Sequence, residues 1–184
     1  KSFLFKFSDQ ELTFITDHGV FSKERVDYGT TVLLVNCAME PRYKNVLDIG
    51  CGYGPIGISL AKTYPHIHFD MTDVNLRALD LAKRNSLLNK VKNVSIFKSN
   101  IYENINRKYD CILTNPPIRA GLNVVYEIFA KAIDFLEDNG AFYTVIQKKQ
   151  GARRAQVKLT QIFNNCETIC SVKGYYVFKS IKNI

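Results

Sequence analysis

The sequence contains no apolar run near the roughly eighteen residues that a membrane span requires, no CxxC pair, and only three histidines among 184 residues. Its opening stretch, Lys1-Ser2-Phe3-Leu4-Phe5-Lys6-Phe7, mixes charge with apolar side chains and cannot serve as a signal-peptide core. A soluble cytoplasmic protein without membrane contact is expected. His18, His66 and His68 are too scattered to act as metal ligands or bases, and of Cys37, Cys51, Cys111, Cys166 and Cys170 only the last two lie close together. Alternate positions on one face of a strand account for Cys166 and Cys170, so no metal is expected. There is no internal repeat, low-complexity stretch or linker. With 46% apolar content the chain can bury one good core. Residues 1–184 are read as one domain, with a hairpin and helix extension at 1–40 and a core at 41–184.

Charge is unevenly spread. From Gln147 onward Lys148, Lys149, Arg153, Arg154, Lys158, Lys173, Lys179 and Lys182 face Glu167 alone, so this tail holds +7 of the total +8. Such clustering fits either a phosphate-backbone contact or a solvated helix face.

Apolar periodicity switches repeatedly between two and three-to-four residues. Ser2 to Phe7 and Glu11 to Thr16 read as a hairpin. Strands are expected at Asn45 to Ile49, Ile67 to Thr72, Val94 to Lys98, Tyr109 to Thr114, Ala141 to Ile146, Glu167 to Val172 and Tyr175 to Ser180. Helices are expected at Thr30 to Met39, Gly54 to Tyr64, Asn75 to Leu88, Val124 to Leu136 and Ala152 to Phe163, the fourth stopping at Asn139-Gly140. Strand and helix in alternation predict an α/β fold: a Rossmann-like, doubly wound, seven-stranded and mostly parallel sheet with an antiparallel C-terminal strand, preceded by the β-hairpin. Ligands of such sheets sit beyond the carboxyl ends of the strands.

Two motifs fall there. Gly52-Tyr53-Gly54-Pro55-Ile56-Gly57 follows a strand and opens a helix, and Asp73 ends the next strand, where a ribose-binding acid belongs. Those features alone admit a nicotinamide or flavin enzyme. Asp48 opposes it: a carboxylate at that strand end would face pyrophosphate at a cost of about 3 kcal/mol per charge at 5 to 6 Å and an effective dielectric near 20. S-adenosylmethionine has a sulfonium, an ammonium, a ribose and no phosphate, and suits both acids. The second motif, Asn115-Pro116-Pro117-Ile118, is a stiffened set of carbonyl acceptors, since a residue before proline is driven to extended backbone and proline has no N–H. It can hold an exocyclic amine.

Asp48-Ile49-Gly50-Cys51-Gly52-Tyr53-Gly54, Asp73 and Asn115-Pro116-Pro117-Ile118 together resemble the motifs of class I S-adenosylmethionine-dependent methyltransferases that modify planar amines. Gly19-Val20-Phe21-Ser22, Asp27-Tyr28-Gly29-Thr30 and Gln147-Lys148-Lys149-Gln150-Gly151-Ala152 extend the likeness to the small-domain methyltransferases, which include RsmC-type guanine-N2 methyltransferases of small-subunit ribosomal RNA. The resemblance implies S-adenosylmethionine as cofactor, with Asp48 near its amino group, Gly50, Gly52 and Gly54 along its methionine part, Asp73 at the ribose and Asn100 at the adenine amino group, and with Cys51, Val74, Ile101 and Asn115 also among the cofactor-binding residues. It implies catalysis by Asn115, whose side-chain carbonyl, with the main-chain carbonyl of Pro116, accepts hydrogen bonds from the target amine beside Pro117 and Ile118.

The implied substrate is guanine N2 in ribosomal RNA or the small ribosomal subunit. Methylation of DNA adenine or protein glutamine, and a non-catalytic RNA module, stand as alternatives. Arg119, Lys148, Lys149, Arg153 and Arg154 are candidate RNA contacts, while Phe21 covers the cofactor or packs the hairpin. Ile118 stands where the family often has a base-stacking aromatic. Tyr175-Tyr176-Val177-Phe178 is read as core strand, not as a stacking platform. The RNA enzymes of this type carry a second amino-terminal domain, and the chain is read as the catalytic half, leaving recognition to the basic tail or a partner. No motif addresses the oligomeric state.

Overall fold

The computed structural model describes residues 1–17 and 25–183; Gly19-Val20-Phe21-Ser22 and His18 lie outside the described residues. Strands β1 (Ser2–Phe7) and β2 (Gln10–Ile15) pair antiparallel as the expected hairpin. The chain continues through α1 (Tyr28–Asn36), β3 (Asn45–Ile49), α2 (Pro55–Thr63), β4 (His68–Asp73), α3 (Leu76–Leu88), β5 (Val94–Lys98) and β6 (Tyr109–Thr114). It ends with α4 (Leu122–Ala132), β7 (Leu136–Gln147), α5 (Ala152–Phe163), β8 (Glu167–Val172) and β9 (Tyr175–Ile181). Seven strands form one sheet in the order β5-β4-β3-β6-β7-β9-β8, parallel except where β9 runs antiparallel to both β7 and β8. Winding reverses between β3 and β6, which opens a crevice at their carboxyl ends.

Central strands bury both faces, so their residues alternate between two cores. Val46, Cys111, Leu113, Tyr143, Val145 and Val177 join α1, α2, α3 and the hairpin on one side. Leu47, Ile49, Ile112, Phe142, Ile146 and Phe178 join α4 and α5 on the other. The hairpin is fastened as well as packed. Asn85 Oδ1 accepts from Ile15 N at 2.7 Å while its Nδ2 donates to Ile15 O at 3.0 Å, and Asn89 does the same for Thr13 at 2.9 and 2.8 Å. Two side-chain amides, one in the last turn of α3 and one at its C-cap, thus replace a neighbouring strand along β2. Asn85 Nδ2 also donates to Tyr53 O at 2.9 Å, tying the hairpin to the glycine loop.

Three expectations need correction. The fourth helix ends at Ala132, passes through a short 3-10 turn (Ile133–Phe135) and gives way to β7 at Leu136, so Asn139-Gly140 is no helix stop. Asn139 N donates to Lys182 O and Lys182 N to Gly140 O, which draws the segment into the sheet beside the end of β9. Glycine is needed there because a Cβ on Gly140 would sit 2.8 Å from Glu137 O. The first helix begins at Tyr28, not Thr30, because Asp27 Oδ2 caps it by accepting from Thr30 N at 3.3 Å. Cys166 and Cys170 do not share a face: the register shifts between Thr168 and Cys170, and the two thiols pack against opposite cores. Among the described residues no cluster of side chains could hold a metal, and no helix is long and apolar enough to cross a membrane.

Candidate functional site

A cavity of about 350 Å³ lies at the carboxyl ends of the strands, lined among others by Gly50, Cys51, Gly52, Asp73, Asn115, Pro116, Pro117, Ile118 and Arg119. The two motifs, separated in sequence, therefore share one space. The loop between β3 and α2 is pinned to the end of β4: Cys51 N donates to Thr72 O at 2.8 Å and Gly52 N to Asp73 Oδ2 at 2.8 Å. Its last glycine, Gly54, holds φ at +104°, and a Cβ there would meet Ile58 Cδ1 at 2.6 Å. Gly57, one turn on, has no spare room either. Its Cβ would lie 2.6 Å from Met71 Sδ, so α2 approaches β4 only because that side chain is absent.

Asp73 lines the cavity with both carboxylate oxygens already oriented, Oδ2 by Gly52 N and Oδ1 by Asn75 N at 2.9 Å. Each oxygen keeps a lone pair for a ligand hydroxyl. Asp48 is placed differently. It is wholly buried under the loop, does not line the cavity, and its Oδ2 accepts from Gly57 N at 3.0 Å, while Oδ1 has no partner among the described residues. Burial pushes its carboxyl up to about 7; the Gly57 N–H works against that, and the nearby Asp73 charge adds to it. Asp48 thus bears on the cavity through the start of α2, which its bond to Gly57 N holds in place. Gly54, Val74, Asn100 and Ile101 also lie outside the lining; Val74 and Asn100 are exposed, and Ile101 O is taken by Ser99 Oγ at 2.9 Å.

Asn115 carries the sharpest geometry. Its Nδ2 donates to Asp27 Oδ2 at 3.0 Å and to Thr30 Oγ1 at 2.9 Å. A carboxylate only accepts, so the amide nitrogen must face Asp27, and the amide orientation is fixed chemically. Oδ1 has no partner among the described residues and is left to accept. The Pro116 carbonyl receives Ile118 N at 2.9 Å and retains a second lone pair. Thr114 Oγ1 donates to Ile49 O at 2.9 Å, which holds the end of β6 beside the start of the glycine loop.

Asp27 and Thr30 belong to a stretch singled out by resemblance, yet no role for them was legible. They sit more than eighty residues before Asn115, and no spacing rule joins them. Gln147, Gln150 and Tyr175 were likewise unexpected in the cavity wall. Tyr175, Tyr176, Val177 and Phe178 all pack against the cores as expected, and Tyr175 in addition lines the cavity. Of the basic candidates Arg119 lines the cavity. Lys148, Lys149, Arg153 and Arg154 do not; they are exposed around the start of α5, whose buried face is Ala152, Ala155, Leu159 and Phe163. The arrangement can accept hydrogen bonds from an amine at one end and from hydroxyls at the other.

Comparison with known proteins gives the family. Residues 11–179 match the family described as methyltransferase small domain. Uncharacterized protein YbxB of Bacillus subtilis (strain 168) is 43% identical over 181 residues, covering 97% of this chain and 90% of that protein. Ribosomal RNA small subunit methyltransferase C of Aeromonas hydrophila is 35% identical over 176 residues, covering 94% of this chain and 50% of that one. The chain therefore spans about half the length of that relative. Among solved structures, the T. thermophilus 16S rRNA N2 G1207 methyltransferase (RsmC), in complex with AdoMet and guanosine, superposes with a TM-score of 0.88 at 24% identity, over 100% of this chain and 50% of that chain. A methyltransferase from Pyrococcus furiosus gives 0.75 at 19% identity, over 91% of both chains. At these identities the likeness speaks for the fold.

Proposed function

The chain belongs to the methyltransferase small domain family, and from that premise we propose that it transfers a methyl group from S-adenosylmethionine to the N2 amine of guanine in small-subunit ribosomal RNA. The residues fit the donor. Asp73 offers acceptors for ribose hydroxyls, and Gly52 has nothing within 4 Å of its absent side chain. When bound, the donor supplies an electrophilic methyl on a sulfonium and leaves as a neutral thioether.

One observation carries the acceptor side: Asn115 is locked by Asp27 and Thr30 so that its oxygen, not its nitrogen, is the group left free. An aromatic amine delocalises its lone pair and is a poor nucleophile. Acceptors at Asn115 Oδ1 and Pro116 O hold its N–H groups and aim the nitrogen at the methyl carbon. As the nitrogen pyramidalises, positive charge grows on those N–H groups, so both contacts strengthen in the transition state. With the donor bound, a C–N bond would form as the donor's S–C bond breaks, and the surplus amine proton would pass to solvent.

Ribosomal RNA as substrate is supported by the exposed Lys148, Lys149, Arg153 and Arg154 around the helix start of α5, where backbone N–H groups add to the positive field. A base within folded RNA must be unpaired or flipped to enter the cavity. Calorimetry with S-adenosylmethionine and with NAD tests the donor; only the first is expected to bind. Tritiated methyl transfer to unmethylated small subunits, naked ribosomal RNA, DNA and a glutamine-bearing protein tests the acceptor. Label is expected at guanine N2 of the RNA, and label confined to adenine or glutamine would overturn the assignment.

A further inference from the structure

Ile118, at the position where a stacking ring would follow the two prolines, packs against the core beside α4 and offers no aromatic surface. The β7–β9 side of the same cavity does. Gln147 and Tyr175 are direct cross-strand partners, so both side chains leave one face of the sheet, the face that also carries Val145. All three line the cavity, together with Gln150 from the 3-10 turn that follows β7. Neither glutamine amide has a hydrogen-bond partner among the described residues.

The Tyr175 ring is held by α1. Tyr28 meets it edge-on at 5.2 Å and 71°, and at Gly29 a Cβ would lie 3.1 Å from Tyr175 Cε1, so the ring rests where that side chain would be. This first turn of α1 also supplies Asp27 and Thr30 to Asn115. One turn of helix therefore fixes both the amine acceptor and the aromatic ring. Asp27 and Thr30 on one side, and Tyr28 and Gly29 on the other, thus tie the two groups to the same short stretch of chain.

Resting on the reading that an exocyclic amine is methylated, we propose that Tyr175, Gln147 and Gln150 form the subsite for the target nucleobase. The Tyr175 ring supplies the stacking platform that Ile118 does not. The two glutamines present donor and acceptor side by side, the pattern that matches the edge of a base. A ring platform with edge-reading amides selects a planar heterocycle; the side chain of a protein glutamine would use neither the ring face nor a second amide.

The test measures single-turnover methylation of unmethylated small-subunit ribosomal RNA, with donor affinity by calorimetry, for Tyr175→Phe, Tyr175→Leu and the double variant Gln147→Leu/Gln150→Leu. Stacking of one base on an aromatic side chain corresponds to about a tenfold to hundredfold loss of kcat/KM when the ring is removed. Tyr175→Leu is expected to show that loss with donor affinity unchanged within about twofold, and Tyr175→Phe to stay within about threefold of wild type. Tyr175→Leu with wild-type kcat/KM on RNA overturns the subsite while leaving the reaction intact. So does a loss of donor affinity and thermal stability in step with activity. Wild-type transfer confined to protein glutamine overturns the subsite and the acceptor assignment together.

Discussion

Replacing Asp48 by asparagine changes the pH dependence of stability in a direction that the structure fixes. The Asp48 carboxyl rises from its ordinary value of 3.8 to about 7, chiefly through burial. Below pH 3.8 the folded and unfolded chains both hold the proton, and the site costs nothing. Between 3.8 and about 7 the unfolded chain ionises while the folded one stays neutral, so stability falls as pH rises; above 7 the penalty is constant. About three pH units at about 1.4 kcal/mol each give a full penalty of about 4 kcal/mol. Asparagine cannot ionise, and its oxygen can still accept from Gly57 N. Its buried NH₂ adds an offset of about 1–3 kcal/mol that does not vary with pH. The quantity to measure is therefore the change in the difference between Asp48→Asn and wild type, by urea denaturation. From about pH 4.5 to about pH 8 that difference should move by about 3 kcal/mol in favour of the variant. A difference constant within about 0.5 kcal/mol across this range would refute a raised carboxyl at this site.

Asp27→Ala removes the acceptor that orients Asn115 and the cap of α1, and should lower kcat by about tenfold to a hundredfold and stability by about 1 kcal/mol with donor affinity intact; loss of donor affinity in proportion to kcat would place Asp27 in the donor site instead. Changing Lys148, Lys149, Arg153 and Arg154 together to glutamine should reduce the slope of log affinity for small-subunit ribosomal RNA against log salt by about 3 to 4. An unchanged slope would move the RNA path off α5. Gly57→Ala should cost about 1–3 kcal/mol in a denaturation assay through collision with the buried Met71, despite the better helix propensity of alanine. A stability equal to wild type would show that Met71 can move aside.

The sheet was legible because its signals are local. Most of the strands hold a short stretch rich in apolar residues, each helix follows a change of period, and Asn75 caps α3 through Arg77 N and Ala78 N as its type suggests. Both motifs fall at strand ends because glycine and proline punctuate the chain there. Local signals failed where tertiary partners decide. Asn139-Gly140 has the composition of a helix stop but serves pairing with Lys182, more than forty residues on. Asp48 has the sequence position of a cavity ligand, yet the N–H of Gly57 draws it under the loop. Asp27, Thr30 and Tyr175 could not be read as neighbours of Asn115, since only the packing of α1 on β7 and β9 brings them together.

The account rests on a methyl donor in the crevice and an amide oxygen turned toward an incoming amine. Single-turnover methyl transfer from saturating S-adenosylmethionine to unmethylated small ribosomal subunits, run with Asn115→Ala and wild type, tests it most directly. The variant should keep donor affinity within about twofold and lose about a hundredfold to a thousandfold in rate, the cost of one lost transition-state hydrogen bond. Equal losses in donor affinity and rate, or a wild-type protein that binds NAD in preference to S-adenosylmethionine, would contradict it.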